Sequence, residues 1–165
     1  MAEIRVLTPD DWKAWREVRL GALAEAPYAF GARLSDWQGN GDREERWRNR
    51  LAIPGSHNLI AEFDGRPAGM VSGVPTPTAG TLELISMWVH PAARGRGVGD
   101  TLVSSVVRWA QKSGGDQLRL AVTHGNEAAV GLYRRHGFVT TGELGDLMPD
   151  GVHREQVMVR NLDRS

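Results

Sequence analysis

Residues 89–102 read VHPAARGRGVGDTL: an apolar strand end, a proline, then arginines and glycines running into a segment of helical character. Gly95, Gly97 and Gly99 suit either a flexible basic loop or a seat for phosphate. Two phosphate motifs fail on chemistry. A Walker loop needs Lys-Ser or Lys-Thr after its last glycine, and here Gly99 is followed by Asp100-Thr101. The dinucleotide fingerprint G-x-G-x-x-G is unmet, because these glycines run G-x-G-x-G. A third arrangement needs no lysine. The chain leaves a strand at Val89-His90-Pro91 and enters a helix near Gly97. The first-turn N–H groups of that helix lack intrahelical partners and lie at the positive end of its dipole. Glycine lets a pyrophosphate approach those amides without meeting a Cβ, and Arg94 and Arg96 can add charge-assisted bonds. Taken alone, the stretch is explained equally well as a solvated turn.

Working outward, TLELISMWVH (81–90) reads as a strand leading into the loop. Before it, NLIAEF (58–63) and PAGMVSGV (67–74) flank Asp64-Gly65, a hairpin signal because both turn positions tolerate positive φ. After it, GDTLVSSVVRWAQKSG (99–114) repeats Leu102, Val106, Val107 and Ala110 at helical intervals. QLRLAV (117–122) alternates as a strand, and Asn126 can cap a helix running to His136 that presents Ala129, Leu132 and Tyr133. Gly137 stops that helix, and FVTTGEL (138–144) with HREQVMVRNL (153–162) reads as an antiparallel pair. At the N-terminal side, IRVL (4–7) precedes a helix capped by Thr8 with Pro9 at its first position and an apolar stripe through Trp12, Trp15, Val18 and Leu23. A connection, APYAFGARLSDWQGNGD (26–42), leads to a second helix over 43–51 with Trp47 and Leu51 inward. The order β-α-α-β-β-β-α-β-α-β-β predicts a mixed sheet covered by helices, an α/β (α+β) fold in one domain over 1–165.

Twenty basic residues balance twenty acidic ones in a chain of 165, so no global field draws a nucleic acid. The absence of cysteine removes a disulfide framework, a thiolate metal site and a cysteine nucleophile together. MAEIRVLTPDDW carries charges where a signal peptide needs an apolar core, and no apolar run approaches the ~20 residues of a membrane span. The expectation is a soluble, cytoplasmic protein with no nucleic-acid or membrane partner.

LISMWVHPAARGRGVGDTLV (84–103) followed by LAVTHGNEAAVGLYRRHGF (120–138) resembles the GCN5-related N-acetyltransferase (GNAT) superfamily. Arg94, Gly97 and Gly99 meet the family's Gln/Arg-x-x-Gly-x-Gly/Ala signature, and Asn126, Leu132-Tyr133 and Gly137-Phe138 meet its second block. The resemblance implies a mostly antiparallel seven-stranded sheet flanked by about four helices, with a splayed parallel strand pair at the cofactor cleft. It implies acetyl-CoA as co-substrate and no metal. Along Met87-Trp88-Val89, the backbone of Met87 and Val89 would hold pantetheine like an added strand. Arg94 and the amides of Gly95, Arg96, Gly97, Val98, Gly99 and Asp100 would hold the pyrophosphate. Asn126 would bond the pantetheine arm, cap its helix, or do both. Tyr133 would protonate the departing thiolate, a phenol of pKa about 10 serving a thiol of about 8.5. Its other reading is an amphipathic core tyrosine.

An amine attacks only as its free base, so a base belongs near the acceptor. Glu83 resembles the acidic position of histone-acetylating members, and equally suits an exposed strand start. His124 is the runner-up base or a solvated loop residue. Tyr28, Phe30 and Trp37 wall an acceptor pocket or belong to the core, and MPDGVHRE (148–155) forms the opposite rim. The Val89 amide would stabilise the oxyanion. The implied activity is transfer of acetyl to a primary amine of a small molecule or peptide by direct attack. The rival is an acyl-CoA-binding regulatory module without chemistry. A homodimer is allowed.

Overall fold

Asp64 at φ 53° and Gly65 at φ 74° turn the chain back on itself, and the strands they join build the middle of the sheet. These are β2 (His57–Phe63) and β3 (Arg66–Pro75), paired antiparallel as the two-residue turn predicts. The computed structural model describes residues 2–26, 34–148 and 150–162. The remaining strands are β1 (Glu3–Val6), β4 (Thr81–Val89), β5 (Gln117–Val122), β6 (Val139–Leu147) and β7 (Arg154–Asn161). They form one seven-stranded sheet in the order β1-β2-β3-β4-β5-β7-β6. Every neighbouring pair is antiparallel except β4 and β5.

Four α-helices are found among the described residues: α1 (Trp12–Glu25), α2 (Glu44–Leu51), α3 (Val98–Lys112) and α4 (Glu127–Arg135). Alternation along β2 sends its side chains into two cores. Leu59 and Ala61 pack with Leu102, Val103 and Val106 of α3, whereas Ile60 packs with Trp15 of α1 and Trp47 of α2. At the N-terminal side, Thr8 donates its amide to Asp11 Oδ2 at 2.8 Å and closes a short 3₁₀ turn, Pro9–Asp11. The Thr8 cap therefore serves this turn, and α1 begins only at Trp12.

Two irregularities of β4 position the site. It pairs with β5 only at Thr81–Gln117, Leu82–Leu118 and Glu83–Arg119, after which the two strands part. Beyond this, Ser72 of β3 faces Ile85 while Met70 faces Trp88, so β4 carries one extra residue in a bulge. Ser86 sits there at φ 57°, in the left-handed region. The bulge reverses the strand's alternation. Leu84 and Trp88 would share one face of a regular strand; instead Leu84 joins the α3 core and Trp88 the α1–α2 core. Met87 and Val89 are thereby turned to the α3 side.

Candidate active site

Where β4 and β5 part, a cleft of about 350 Å³ opens between them and α4. Met87, Val89, Arg94, Asn126, Leu132 and Tyr133 all line it. Past Glu83 the β4 backbone has no β5 partner, which leaves an edge that an extended ligand can join as a strand would. Trp88 gives this edge only its main chain. Its indole is buried on the other face and donates to Glu25 Oε2 at 2.9 Å.

The glycine loop continues directly from that edge. His90 accepts from the Ala92 amide at 3.0 Å and starts a one-turn 3₁₀ segment, Pro91–Ala93. Gly95 at φ 78° and Gly97 at φ 80° both take the left-handed conformation, and nothing lies within 4 Å of where their Cβ atoms would be. Their conformation explains the glycines, and the space above them is open. Gly97 precedes the first turn of α3, whose free amides over 98–100 face outward from the helix end. Val98 is buried and anchors that turn. Gly99 has a different reason: a Cβ there would lie 3.2 Å from Leu132 Cδ2, so α3 and α4 meet closely at the cleft floor. Among the described residues, no group of three or more His, Asp or Glu is placed to hold a metal ion.

The charged residues of the loop are engaged by the protein. Arg94 donates from Nη2 to Glu25 Oε2 at 2.9 Å and from Nε to the Val89 carbonyl at 3.1 Å. Glu25 thus joins the end of α1 to the loop. Its carboxyl is held below the usual range, first by the Trp88 indole and then by Arg94. The Arg96 guanidinium lies 5.3 Å from the Phe63 ring and lines a second hollow, of about 850 Å³, beside α1 and the β2–β3 turn. Asp100 receives His136 Nε2 at 2.8 Å and Arg135 Nη2 at 3.2 Å, so its side chain ties α3 to α4 while its amide stays at the loop.

On the opposite wall, Asn126 Oδ1 accepts from the Ala129 amide at 3.3 Å and caps α4. Tyr133 lies two turns further along, its ring edge-on to Phe138 with centroids 5.8 Å apart. Burial pushes its phenol well above the ordinary value, so the hydroxyl remains protonated throughout the neutral range. This group can donate a proton and cannot act as a resting base.

The acceptor candidates lie apart from this cluster. Glu83 occupies the last paired position of β4, bonded by Arg119 Nη1 at 3.4 Å, and is not in the cleft lining. Burial raises its pKa, Arg119 opposes that shift, and Asp146 adds to it. His124 stacks on His153 with ring centroids 4.3 Å apart, joining the end of β5 to the β6–β7 connection. Trp37 packs on Trp47 at 4.6 Å beneath Arg46, against the α1–α2 core. Tyr28 and Phe30 fall outside the described residues. Sequence reading passed over Glu25, Ser86 and Arg50. Glu25 did leave one signal, an acid at the C-terminal turn of a helix, where the dipole disfavours it.

The sequence profile of the Acetyltransferase (GNAT) family matches residues 20–138. This chain belongs to the GNAT acetyltransferase family. The matched span opens within α1 and ends on Phe138, so it takes in the glycine loop and the whole of α4. A mycothiol acetyltransferase of Renibacterium salmoninarum is 28% identical over 136 residues, covering 82% of this GNAT chain but 40% of that relative. The chain thus spans about two fifths of the length of this larger relative. A GNAT structure from Kribbella flavida superposes with a TM-score of 0.77 at 26% identity, over 98% of each chain. The fold of yncA from Salmonella typhimurium, solved with its cofactor acetyl-CoA, matches with a TM-score of 0.78 at 24% identity, over 100% of this chain and 96% of that one.

Proposed function

We propose that this GNAT chain, acting as one domain over 1–165, transfers the acetyl group of acetyl-CoA to a primary amine by direct attack. The observation that carries this reading is the buried, protonated Tyr133 on the wall of a cleft whose other wall is the unpaired edge of β4. The thioester supplies the electrophile. Main-chain groups of Met87 and Val89 hold the pantetheine arm, and the open amides from Gly95 to Asp100 take the pyrophosphate. The Val89 amide stabilises the developing oxyanion, and Tyr133 gives its proton to the leaving sulfur. Glu83 removes the amine proton through water. Burial raises its pKa, which makes its carboxylate a stronger base than a solvated one. His124 is the second candidate for that step. Phe30 and Trp37 are proposed for the acceptor side.

The test is acetyl-CoA-dependent thiol release across amino acids, polyamines, aminoglycosides and peptide N-termini. Tyr133→Phe should lower kcat by about 10²–10⁴-fold, the span of a lost general acid, with acetyl-CoA affinity near normal. Tight acetyl-CoA binding without release on any amine would replace this reading with a non-catalytic binding module. A cytoplasmic site of action goes with the reading, since acetyl-CoA is an intracellular co-substrate. A homodimer is supported by the edge strand β6, where Val139, Leu144 and Leu147 are exposed. Sedimentation of Leu144→Asp against the parent chain tests it.

A further inference from the structure

Behind the bulge of β4 lies a guanidinium that no carboxylate answers. Arg50, in the last turn of α2, donates from Nη1 to Asn58 Oδ1 at 3.0 Å and from Nη2 to Ser72 Oγ at 3.1 Å and Ser86 Oγ at 3.0 Å. All three acceptors are neutral. Arg16, Arg48, Arg94 and Arg119 each meet an acid, whereas no carboxylate among the described residues lies within ion-pair distance of Arg50. A cation withdrawn from water is ordinarily paired.

The surroundings compound the imbalance. Arg19 of α1 stands close enough for the two positive charges to oppose each other, and burial lowers both pKa values to about 10. The Arg50 guanidinium lies 4.9 Å from the ring centroid of Trp15, whose buried indole N–H has no acceptor among the described residues. Around Arg50 this region therefore offers donors, and among the described residues no carboxylate is ion-paired to that guanidinium. It also borders the cleft. Ser86 lines the cleft and accepts from Arg50, so one serine separates the cation from the cavity. Its φ of 57° would suit glycine with less strain; the serine adds an Oγ that orients the guanidinium. Arg50 is partly exposed, and Ser86 is its link to the cleft.

We propose that Arg50, set behind Ser86, forms an oxyanion subsite, and that the acceptor is an amine carrying a carboxylate, such as a free amino acid. The proposal rests on the acetyl-transfer reading above. It favours anionic acceptors over polyamines and aminoglycosides, whose added positive charge would meet the Arg50 guanidinium.

The experiment compares acetyl transfer by the full chain on amino acids and on their carboxamides. A charge-assisted bond lost in a partly dry site predicts kcat/KM about 10- to 100-fold higher for the acids. Arg50→Met should collapse that preference by raising KM for the acid, with KM for acetyl-CoA as internal control. Equal rates on acid and amide overturn the subsite, as does an undiminished preference in Arg50→Met. Should Arg50→Met fail to fold, the acid-to-amide ratio of the parent chain decides. A second readout needs no turnover: N-acetyl amino acids should raise the Tm of the parent chain more than their amides do. If no amine is acetylated, the transfer reading fails, and the Tm comparison alone judges the subsite.

Discussion

Glu83 and Tyr133 are both moved upward in pKa by burial, yet the chemical consequences are opposite. The phenol is locked in its acid form. The carboxyl becomes a stronger base that must lose its proton before it can work. If Glu83 is the base, kcat/KM falls as pH drops through its raised pKa. Glu83→Gln should remove that acidic limb and lower kcat by about 10²–10⁴-fold. A limb that survives the substitution passes the role to His124. Stability should move the other way. With its folded pKa above the unfolded one, Glu83 binds its proton more tightly when native, so ionisation at neutral pH opposes folding. Denaturant titration at pH 7 should therefore find Glu83→Gln no less stable than the parent chain. Tyr133, Asn126 and the glycines were legible in the sequence because each belongs to a short local motif. Glu25, Ser86 and Arg50 were not, because their meaning comes from partners such as Trp88, 63 residues from Glu25, and Ser86, 36 residues from Arg50.

Among the elements, β4 shows what a sequence pattern conceals. TLELISMWVH reads as one uninterrupted strand; its start agrees with β4, which stops one residue short of His90. The single-residue bulge leaves no distinct composition, although the doublets Leu84-Ile85 and Met87-Trp88 break strict alternation on either side of it. Glycines in different elements likewise carry different constraints, and substitution separates them. A Cβ on Gly73 of β3 would fall 2.3 Å from the Trp109 ring of α3. Gly73→Ala should cost about 1–3 kcal/mol by overpacking, read from the shift in denaturation midpoint, and leave acetyl-CoA affinity alone. Gly97 meets no such obstacle, but its φ of 80° penalises any side chain. Gly97→Ala should weaken acetyl-CoA binding by calorimetry, because relaxing the strain moves the amides proposed to hold the pyrophosphate. Unchanged affinity would remove the phosphate assignment from this loop.

The whole molecule is held across its helical layer by carboxylates that burial does not protect. Asp42 accepts from Arg16 of α1 at 2.7 Å and from the Trp47 indole of α2 at 2.8 Å, and these bonds, Arg16 first, bring its pKa to about 2. A folded pKa below the unfolded value stabilises the native state above about pH 4, and the contribution is lost as pH falls toward 2. Asp42→Asn should thus be less stable than the parent chain at pH 7, with the gap closing near pH 2 in urea titrations. A gap that is constant with pH would assign the effect to packing. At this scale the order of elements and the mixed sheet could be read from periodicity and turn chemistry. The pairing of Asp42 with Arg16 could not, since nothing local to either residue specifies the other.

The parallel pair has a further consequence. Strands β1 to β4 make one half of the sheet and β5, β7 and β6 the other, and only three residue pairs, ending at Glu83–Arg119, connect the halves by strand pairing. Beyond that point they are two leaves joined at a spine. A ligand laid along β4 would be a mechanical element, closing the gap between the leaves and taking part of the load that a missing ladder leaves to the helices. Backbone amides of β4 beyond Glu83 should then exchange hydrogen markedly more slowly with acetyl-CoA present, while those of β2 stay as they were.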